Sequence, residues 1–437
     1  MKKIMEQVMN DITDLKADAD LILSSSKSLK MSAQNGSISE YKVSSSQMLG
    51  IRVIKDGAVG ISYTEAMDKD SLKFMVHQAL QNAQTNEANP NEKILDLNGS
   101  LSDVASYPEG EVDINVKTKK ALELESEVKA RDSRVTAVPY NSYSENEFES
   151  LYLTSKGRFT NYNDKTYSIT SSALLADQGK KAIYYDYCLA HTFNELQWSK
   201  VVETSLFHAR NILEAKTLPT GKYHVRFSTD SLKDLIECFS NFYSAKSAMD
   251  KVNPWASKIG EQVISQDITL EDQPLYSNAY RTSLFDSEGV KRRALTMIKD
   301  GALKSFLHNS VTANHFKTET TGHASRGASS SLNVSGTHFV VSGTNKKPLP
   351  PKYMEVIQMD GLHSGANRVT GNFSVAVKGY LWENGQKTMT FGNITLSGNL
   401  IELLKNVEVV GEKLEASTDL SFFSVPLMFN DLSIAGS

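Results

Sequence analysis

The stretch Lys216-Thr217-Leu218-Pro219-Thr220-Gly221-Lys222 divides this sequence of 437 residues into two parts with different patterns. A proline and a glycine flank a short polar segment here, between a long helical pattern and a new strand pattern, which is typical of a domain boundary. A chain of this length also exceeds what one ordinary hydrophobic core supports. We therefore predict an N-terminal domain over residues 1–215, a linker over 216–222 and a C-terminal domain over 223–437.

Helical and strand patterns alternate upstream of the linker. Apolar residues recur at helical spacing in four segments, which are residues 3–16, a segment from Asp70, residues 114–131 and residues 194–215. The dipeptides Asn35-Gly36 and Asp56-Gly57 are typical of tight hairpin turns between strands. The order of helix, meander, helix, helix, meander and helix predicts an α+β domain, and it is compatible with an internal duplication.

Strand patterns in this part are short and separated by polar residues. They predict strands over residues 29–33, 37–43, 49–54, 59–63, 135–139, 147–154, 157–163, 167–176 and 181–188. The polar residues 91–112, broken by Pro108 and Gly110, predict a loop.

The part downstream of the linker is dominated by strand patterns and glycine-containing turns. A strand over residues 223–228 precedes one helix from Asp230 to Met249. Further hairpin turns are predicted at Asp300-Gly301, Asp360-Gly361 and Asn384-Gly385, and Asn399 is expected to cap a short helix. We therefore predict a β-rich C-terminal domain with a few helices, and an α+β fold class for the whole chain.

Composition excludes several classes of protein. Lys and Arg together number 47 and Asp and Glu 51, which gives a formal charge of −4, and no basic block is present. Because nucleic-acid binding rests on neutralising phosphates, this balance argues against a nucleic-acid partner. The sequence has no apolar run long enough for a signal peptide or a membrane span. Its only cysteines are Cys188 and Cys238, which suits a reducing compartment. We expect a cytoplasmic protein without membrane contact.

Local catalytic motifs are absent. None of the nine histidines precedes a glutamate, so neither the HExxH zinc motif nor its one-residue-longer relative occurs. No nucleophile elbow, phosphate loop or dinucleotide fingerprint is present either. Cys188 and His191 have the spacing of a zinc-ligand pair, but a zinc site needs at least three protein ligands and no second pair completes it. A small buried thiol near a helix cap is the simpler interpretation.

Two further clusters each allow a functional and a structural interpretation. His308, His315 and His323 are close in sequence, and Gly, Ser and Arg residues around His323 could bind an anionic or peptide ligand. The alternative is a mobile, serine-rich surface loop over residues 320–327. Lys291-Arg292-Arg293 could contact nucleic acid, but such clusters are more often solvated strand edges.

An ordered set of segments resembles the TldD/PmbA family, whose members were once described as modulators of DNA gyrase. The segments are residues 284–290 (LFDSEGV), 298–307 (IKDGALKSFL), 321–327 (TGHASRG), 361–374 (GLHSGANRVTGNFS), 379–385 (GYLWENG) and 394–404 (ITLSGNLIELL). Residues 50–57 and 219–223 fit the family as well, so the resemblance covers nearly the whole chain. It implies a cytoplasmic peptidase complex that acts on unfolded or peptide substrates and contains two kinds of chain.

The resemblance also indicates which kind of chain this is. In TldD-type chains, His-Glu-x-x-x-His on the first helix of the second domain and a late cysteine bind zinc, and the glutamate activates water. PmbA-type chains, also called TldE, lack these ligands and pair with the TldD chain. Here Ile236 and Asn241 occupy the histidine positions, Glu237 occupies the base position, and residues 415–437 contain no cysteine. Without a metal to supply its water, Glu237 is a helix-surface charge.

The resemblance therefore implies a PmbA-type subunit with no metal, cofactor or catalytic residue of its own. Zinc is expected only in a TldD-type partner. Substrate contacts are expected at His323, Arg326, Gly371, Asn372, Phe373 and Ser374.

Two alternatives remain open. One is a stand-alone peptide-binding homodimer without catalytic activity, which would hold an extended peptide by added-strand pairing. The other is a hydrolase with Ser374 or Cys238 as nucleophile, although no adjacent residue supplies a base.

Overall fold

The computed structural model describes residues 1–105 and 110–436 and has an α+β fold, as the sequence predicts. Its helices are α1 Lys2–Asp14, α2 Lys69–Thr85, α3 Ile114–Arg131, α4 Trp198–Leu213, α5 Thr229–Cys238, α6 Ala245–Met249, α7 Ser310–Phe316, α8 Leu362–Gly365 and α9 Leu400–Lys405, with 3-10 turns at Phe193–Glu195 and Ser240–Phe242. Within the described ranges no helix is both long enough and apolar enough to cross a membrane.

The first sheet contains strands from the N-terminal half of the chain only. These are β1 Asp18–Gln34, β2 Ser37–Lys55, β3 Ala58–Thr64, β4 Gly99–Val104, β5 Val135–Ala137, β6 Ser142–Thr154, β7 Arg158–Asp177 and β8 Lys180–Ala190. Their order is β3-β2-β1-β6-β7-β4, and both β5 and β8 also pair with β7. Every pairing is antiparallel except that of β4 with β7.

Two hydrophobic cores cover opposite ends of this sheet. Apolar residues of α1 and α2, such as Ile12 and Met75, pack against the start of β1 and the end of β2. Residues of α3 and α4, such as Val128 and Leu206, pack against β7 and β8. Each core belongs to a helix–meander–helix unit, which is the repeated order that the sequence predicts.

Both predicted hairpin turns are confirmed, because Asn35-Gly36 joins β1 to β2 and Asp56-Gly57 joins β2 to β3. The predicted breaks inside β2 and β7 are wrong, since each is one long strand. The serines taken as breaks in β2 bond across the hairpin instead, with Ser46 Oγ 2.8 Å from Ser26 Oγ. The loop predicted over residues 91–112 contains β4, whose polar residues pair in parallel with β7. Pro108 lies outside the described residues.

The second half of the chain is β-rich, and its strands form two larger sheets around one core. The strands are β9 Gly221–Phe227, β10 Ile268–Asp272, β11 Leu295–Lys299, β12 Ala302–Leu303, β13 Ala324–Ser325, β14 Asn333–Val334, β15 Phe339–Gly343, β16 Lys352–Asp360, β17 Asn372–Glu383, β18 Gln386–Asn399, β19 Glu408–Val409, β20 Glu415–Ala416, β21 Phe422–Ser424 and β22 Leu427–Ala435. One sheet has the order β12-β11-β10-β15-β21-β20 and the other β18-β17-β16-β9-β22-β19. Because β18 also pairs with β22, the second sheet closes on itself.

The helix predicted from Asp230 to Met249 is interrupted. It ends at Cys238, because the aromatic side chains of Phe239, Phe242 and Tyr243 all turn into the core and are buried. Ser244 then caps α6, and its side chain accepts a hydrogen bond from Ser247 N–H.

Two of the three hairpins predicted in this half are confirmed, at Asp300-Gly301 and Asn384-Gly385. The hairpin at Asp360-Gly361 is wrong, because Gly361 has a φ of +90° and begins α8 instead. Asn399 caps α9 as expected, and its side chain accepts from Glu402 N–H. The predicted linker lies between α4 and β9, and the division into two domains stays a prediction.

Candidate functional site

The helix α5 separates the three positions that the family resemblance singles out. Ile236 is 5% exposed and faces the hydrophobic core together with Leu232 and Leu235. Glu237 lies on the opposite face, where 53% of its side chain is exposed. Asn241 lies beyond the end of α5, in the 3-10 turn. The three side chains therefore do not converge on one point.

Asn241 forms a hydrogen bond with the loop between β16 and β17. Its Nδ2 donates a hydrogen bond of 2.8 Å to the carbonyl of Arg368 and lies 3.4 Å from the carbonyl of Val252. The amide oxygen is buried without a hydrogen-bond partner in the described part of the protein. This amide therefore anchors the connection between β16 and β17 to the end of α5.

The polar face of α5 is covered by the loop between β20 and β21. Thr418 donates to the Asp230 carboxylate through its backbone N–H and its hydroxyl, at 2.8 and 2.9 Å. The Lys233 ammonium forms an ion pair with Asp419 and lies 3.9 Å from Glu237. Partial burial raises the pKa of Glu237 above its ordinary value. The Lys233 ammonium therefore lies beside the Asp419 and Glu237 carboxylates. Among the described residues no group of His, Cys, Asp and Glu is arranged to hold a metal.

His323 is fully buried, so the interpretation of its segment as a mobile surface loop is wrong for this residue. Its Nε2 lies 2.7 Å from Asp272, and its Nδ1 lies 2.9 Å from the Thr321 hydroxyl. Asp272 also accepts from the backbone N–H and the hydroxyl of Thr337. Because both ring nitrogens contact side chains of this protein, His323 connects the end of β10 to the start of β13. A substrate contact through this ring stays a prediction.

His308 and His315 do not join His323 in a ligand set. His308 is buried beside the Thr312 hydroxyl at 3.2 Å, and burial lowers its pKa to about 4. His315 is on α7, packed edge-on against Phe316.

Arg326 is at one end of a buried charge network that joins the two halves of the chain. Its Nη1 pairs with Asp20 on β1. Asp20 also pairs with Arg52 on β2, at 2.6 Å, and Arg52 lies 3.5 Å from Glu288. Glu288 in turn accepts a hydrogen bond from the backbone N–H of Ser310, at 2.9 Å. These four charged side chains are each at most 2% exposed. The sequence analysis did not identify Asp20, Arg52 and Glu288 as members of this network. A charged Arg52 inside an apolar strand pattern could have indicated a buried ion pair.

A cleft of about 370 Å³ lies between the first sheet and the second half of the chain. Aromatic side chains line it from both sides, namely Phe148, Tyr152, Tyr162 and Phe285, together with Arg281, Arg292 and Arg326. Arg281 packs over the Tyr162 ring and pairs with Asp164 at 3.1 Å. The one carboxylate in the lining, Asp286, accepts hydrogen bonds from three backbone N–H groups. Three guanidinium groups therefore face one carboxylate among the described lining residues, although Arg281 and Arg326 are paired with Asp164 and Asp20 outside the lining.

Arg292 is the guanidinium of this cleft that forms no direct ion pair with a described residue. Its Nε and Nη1 donate to the carbonyls of Phe285 and Gly322, both at 3.1 Å. Within the described ranges it forms no direct ion pair with a carboxylate, although the nearby Asp286 and Asp272 carboxylates favour its charged form and oppose the burial that lowers its pKa. The solvated-edge interpretation of residues 291–293 is therefore wrong for Arg292 and fits only its exposed neighbours. A guanidinium held this way can bind the carboxylate or phosphate of a ligand.

The segment Gly371–Ser374 lies apart from the lining of this cleft. Phe373 is buried in the core, Asn372 accepts from Asn399 at 2.8 Å, and Ser374 is bonded to Ser397. Asn372 and Phe373 pair with β18 on one side and with residues 366–367 on the other. No backbone is free at these two residues, so an added strand cannot pair there. Substrate contact through the exposed side chains of this segment stays a prediction.

The remaining candidates lack catalytic neighbours. The Ser374 hydroxyl contacts the Ser397 hydroxyl, and Cys238 Sγ lies 3.9 Å from the Leu362 carbonyl. Cys188 Sγ lies 3.6 Å from the Leu189 carbonyl, whereas His191 Nε2 lies 2.6 Å from the Tyr280 carbonyl. Neither thiol is therefore arranged with a base as a nucleophile would require.

Three domain models of one family match the chain in order. They are described as the PmbA/TldA metallopeptidase domain 1 over residues 19–83, its central domain over 107–211 and its C-terminal domain over 220–436. The first two fall on the two meanders of the first sheet. The metalloprotease PmbA of Escherichia coli O157:H7 is 23% identical over 443 residues, which cover 100% of this chain and 97% of that protein.

Solved structures share the fold over the whole length. A protein from Thermotoga maritima, described as a modulator of DNA gyrase, has a TM-score of 0.84 at 23% identity and covers 99% of this chain and 100% of its own. TldE from Thermococcus kodakarensis has a TM-score of 0.82 at 20% identity, with 99% and 100% coverage. Together with the three domain models, these likenesses lead to one conclusion: the chain belongs to the PmbA/TldD family of metallopeptidase-type proteins.

Proposed function

We propose that this chain is the non-metal subunit of a cytoplasmic metallopeptidase complex that acts on unfolded or peptide substrates. The observation that carries the proposal is the arrangement at α5. Ile236 packs into the core, Asn241 is committed to the Arg368 carbonyl, and the Lys233 ammonium sits beside Asp419 and Glu237. Zinc enzymes use three protein ligands and an open position, and a fixed ammonium at this place opposes a dication.

In this proposal, zinc belongs to a TldD-type partner chain, and the present chain contributes part of the wall that holds the substrate. The cleft beside Arg292 and Arg326 suits the carboxylate end of an unfolded peptide, with aromatic side chains available for its apolar residues. The free thiols Cys188 and Cys238 are compatible with a reducing compartment.

Co-purification with a zinc-bearing paralogue tests the proposal. The two chains are purified separately and mixed, and cleavage of an unfolded protein such as reduced casein is measured for each chain and for the mixture. We expect cleavage by the mixture only, and no loss of rate when this chain carries Glu237→Gln. A paralogue that is fully active alone and never associates with this chain would overturn the proposal.

A stand-alone peptide-binding protein is the second candidate, and the cationic, aromatic-lined cleft favours it. The two candidates differ in one respect: the second needs no partner. Tight peptide binding by this chain, with no enhancement of any paralogue's activity, would favour the second candidate over the first.

A further inference from the structure

Arg326 brings a buried nitrogen without a partner to the cleft between the first sheet and the second half of the chain. Its Nη1 pairs with Asp20, and its Nε donates to the Ser330 carbonyl at 3.3 Å. Its Nη2 is buried and has no hydrogen-bond partner among the described residues. A charged N–H group that is buried without an acceptor is costly. This nitrogen therefore points to an acceptor that a ligand supplies.

Arg292 contributes a second open donor to the same cleft. The carbonyls of Phe285 and Gly322 accept from its Nε and Nη1, and these two contacts fix the plane of the guanidinium. In the described part of the chain its Nη2 has no hydrogen bond. One corner of a fixed guanidinium is therefore left for an oxygen of an anion.

The two arginines belong to one hydrogen-bonded unit of the fold. The Ser287 N–H donates to the Ala324 carbonyl at 3.2 Å, and the Arg326 N–H donates to the Ser287 hydroxyl at 3.1 Å. These bonds join the turn before Arg292 to the segment that carries Arg326. Both oxygens of Asp286, the carboxylate of the lining, already accept from backbone N–H groups. The carboxylate of the cleft is therefore engaged by the backbone, and the two guanidinium nitrogens stay open for a ligand.

His338 adds an acceptor to these two donors. Its Nδ1 is buried without a hydrogen-bond partner in the described ranges, and the residue lines the cleft. Burial lowers the pKa of His338, so the ring is neutral near pH 7. When the ring proton is on Nε2, the lone pair of Nδ1 can accept from an N–H group of a ligand. The cleft therefore combines two donors for anions with one acceptor for an N–H group.

The volume of the cleft limits what these groups can bind. A cleft of about 370 Å³ is near the lower end of the range for ligand pockets, about 300–1,000 Å³, and has room for about one or two amino-acid residues. A C-terminal Asp or Glu residue carries two carboxylates and one backbone N–H within that space. A neutral C-terminal residue would engage only one guanidinium, and an internal acidic residue would bring chain on both sides.

We propose that this cleft is a subsite for peptides that end in an acidic residue. The terminal carboxylate binds Arg292, the side-chain carboxylate binds Nη2 of Arg326, and the backbone N–H of the last residue donates to Nδ1 of His338. The inference rests on the proposed function, in which the cleft holds the carboxylate end of a peptide, and it names the class of peptide that fits best.

Three labelled peptides test the preference on the full chain alone. They have the same length and a fluorophore at the N-terminus. The first ends in Glu, the second ends in Gln, and the third is an isomer of the first in which the Glu is moved towards the label and the last residue is Gln. By fluorescence anisotropy we expect the first peptide to bind at least about tenfold more tightly than the other two, because a charge-assisted pair is added. Equal affinities for the first two peptides, or for the first peptide and its isomer, would overturn the proposal.

Arg326→Lys assigns the preference to one nitrogen, because lysine keeps a positive charge beside Asp20 but has no second nitrogen. We expect this variant to bind the Glu and Gln peptides within about threefold of each other, whereas Arg293→Lys, at an exposed side chain, should keep the full difference. Circular dichroism checks the fold of both variants, and the three-peptide comparison needs neither of them. A folded Arg326→Lys protein with the full preference would overturn the assignment.

The binding assay and the cleavage assay separate the two proposals. A zinc-bearing paralogue that never associates with this chain would remove the proposed function and leave the peptide preference of this chain standing. Cleavage by the mixture, with no difference in binding between the Glu and Gln peptides, would remove only the acidic subsite.

Discussion

Arg326 and Asp20 form a buried ion pair although they are 306 residues apart in the sequence. Asp20 lies on β1 at the junction between the two halves of the chain, where β1 meets the loop after β13. Arg52, Glu288 and Glu92 complete the network, in which two cations face three carboxylates and only Glu92, with 17% of its side chain accessible, is partly exposed. Buried charges of this kind are tolerated only while every partner is present. The pair therefore holds the cleft wall at Arg326 in register with the first sheet.

Removing one carboxylate from this network should lower the free energy of unfolding. Asp20→Asn leaves Arg52 and Arg326 buried with an incomplete set of anions, and we expect the free energy of unfolding to fall by about 3–5 kcal/mol. Urea denaturation measures this loss. Asp18→Asn, which removes an exposed ion pair with Lys156 and keeps an oxygen acceptor for the Ser155 hydroxyl, should change stability by less than about 1 kcal/mol. Equal effects of the two substitutions would contradict the account of the network.

Gly50, at the same junction, should not tolerate a larger side chain. A Cβ at Gly50 of β2 would lie 1.7 Å from the carbonyl oxygen of Ala328, a backbone atom that cannot move aside alone. Gly50→Ala should therefore lower the free energy of unfolding by at least about 2 kcal/mol through overpacking. Gly110→Ala meets nothing within 4 Å and serves as the control. A stable Gly50→Ala variant would mean that β2 and residue 328 are not in this contact.

His208 predicts a pH dependence of stability. Its ring is buried between Tyr184 and Tyr380, with Tyr380 Oη 2.8 Å from Nδ1, and burial lowers its pKa to about 4. The unfolded chain, with an ordinary pKa near 6.5, then binds the proton more readily than the folded protein. The stabilisation is complete above pH of about 6.5 and is lost as the pH falls towards 4, with a contribution of order 3 kcal/mol.

His208→Phe removes this titration. Thermal unfolding of both proteins between pH 7 and 4.5 should give a smaller drop in melting temperature for the variant. Identical drops would show that the His208 ring is not kept neutral by its surroundings.

Arg292 should decide the binding of carboxylate ligands in the cleft. A short apolar peptide with a free C-terminus is compared with its C-terminal amide by fluorescence anisotropy. Arg292→Met should weaken binding of the free acid about tenfold or more, because a charge-assisted pair is lost, and should leave the amide unaffected. Arg293→Met, a change at an exposed side chain that faces Glu319, is the matched control. Equal losses of affinity for the free acid and the amide would show that Arg292 does not bind the terminal carboxylate.

The sequence predicted local structure where local chemistry decides it. Asn35-Gly36 and Asn399 adopt the turn and the cap that their side chains favour, and α3 has the predicted bounds. The breaks predicted in β2 failed because paired serines satisfy one another across the hairpin, which a single strand pattern does not reveal.

The site was harder to predict than the helices, because its residues come from distant parts of the chain. His323 and Arg326 attracted attention as polar residues in a glycine- and serine-rich segment, yet their partners Asp272 and Asp20 are far away in sequence. The interruption of the α5 region at Phe239 also depends on tertiary burial of three aromatic rings rather than on helical spacing. Contacts of this kind form the candidate site, and the hydrophobic periodicity of the sequence does not indicate them.

Zinc stoichiometry tests directly whether this chain is a non-metal subunit. The chain is purified without chelator, exposed to a slight excess of zinc, desalted and analysed by mass spectrometry for metal, alone and in complex with a zinc-bearing paralogue. We expect well below one zinc per chain for the protein alone, unchanged by Glu237→Gln, and about one zinc per complex, carried by the partner. A full zinc equivalent bound by this chain alone, and lost in Glu237→Gln, would contradict it.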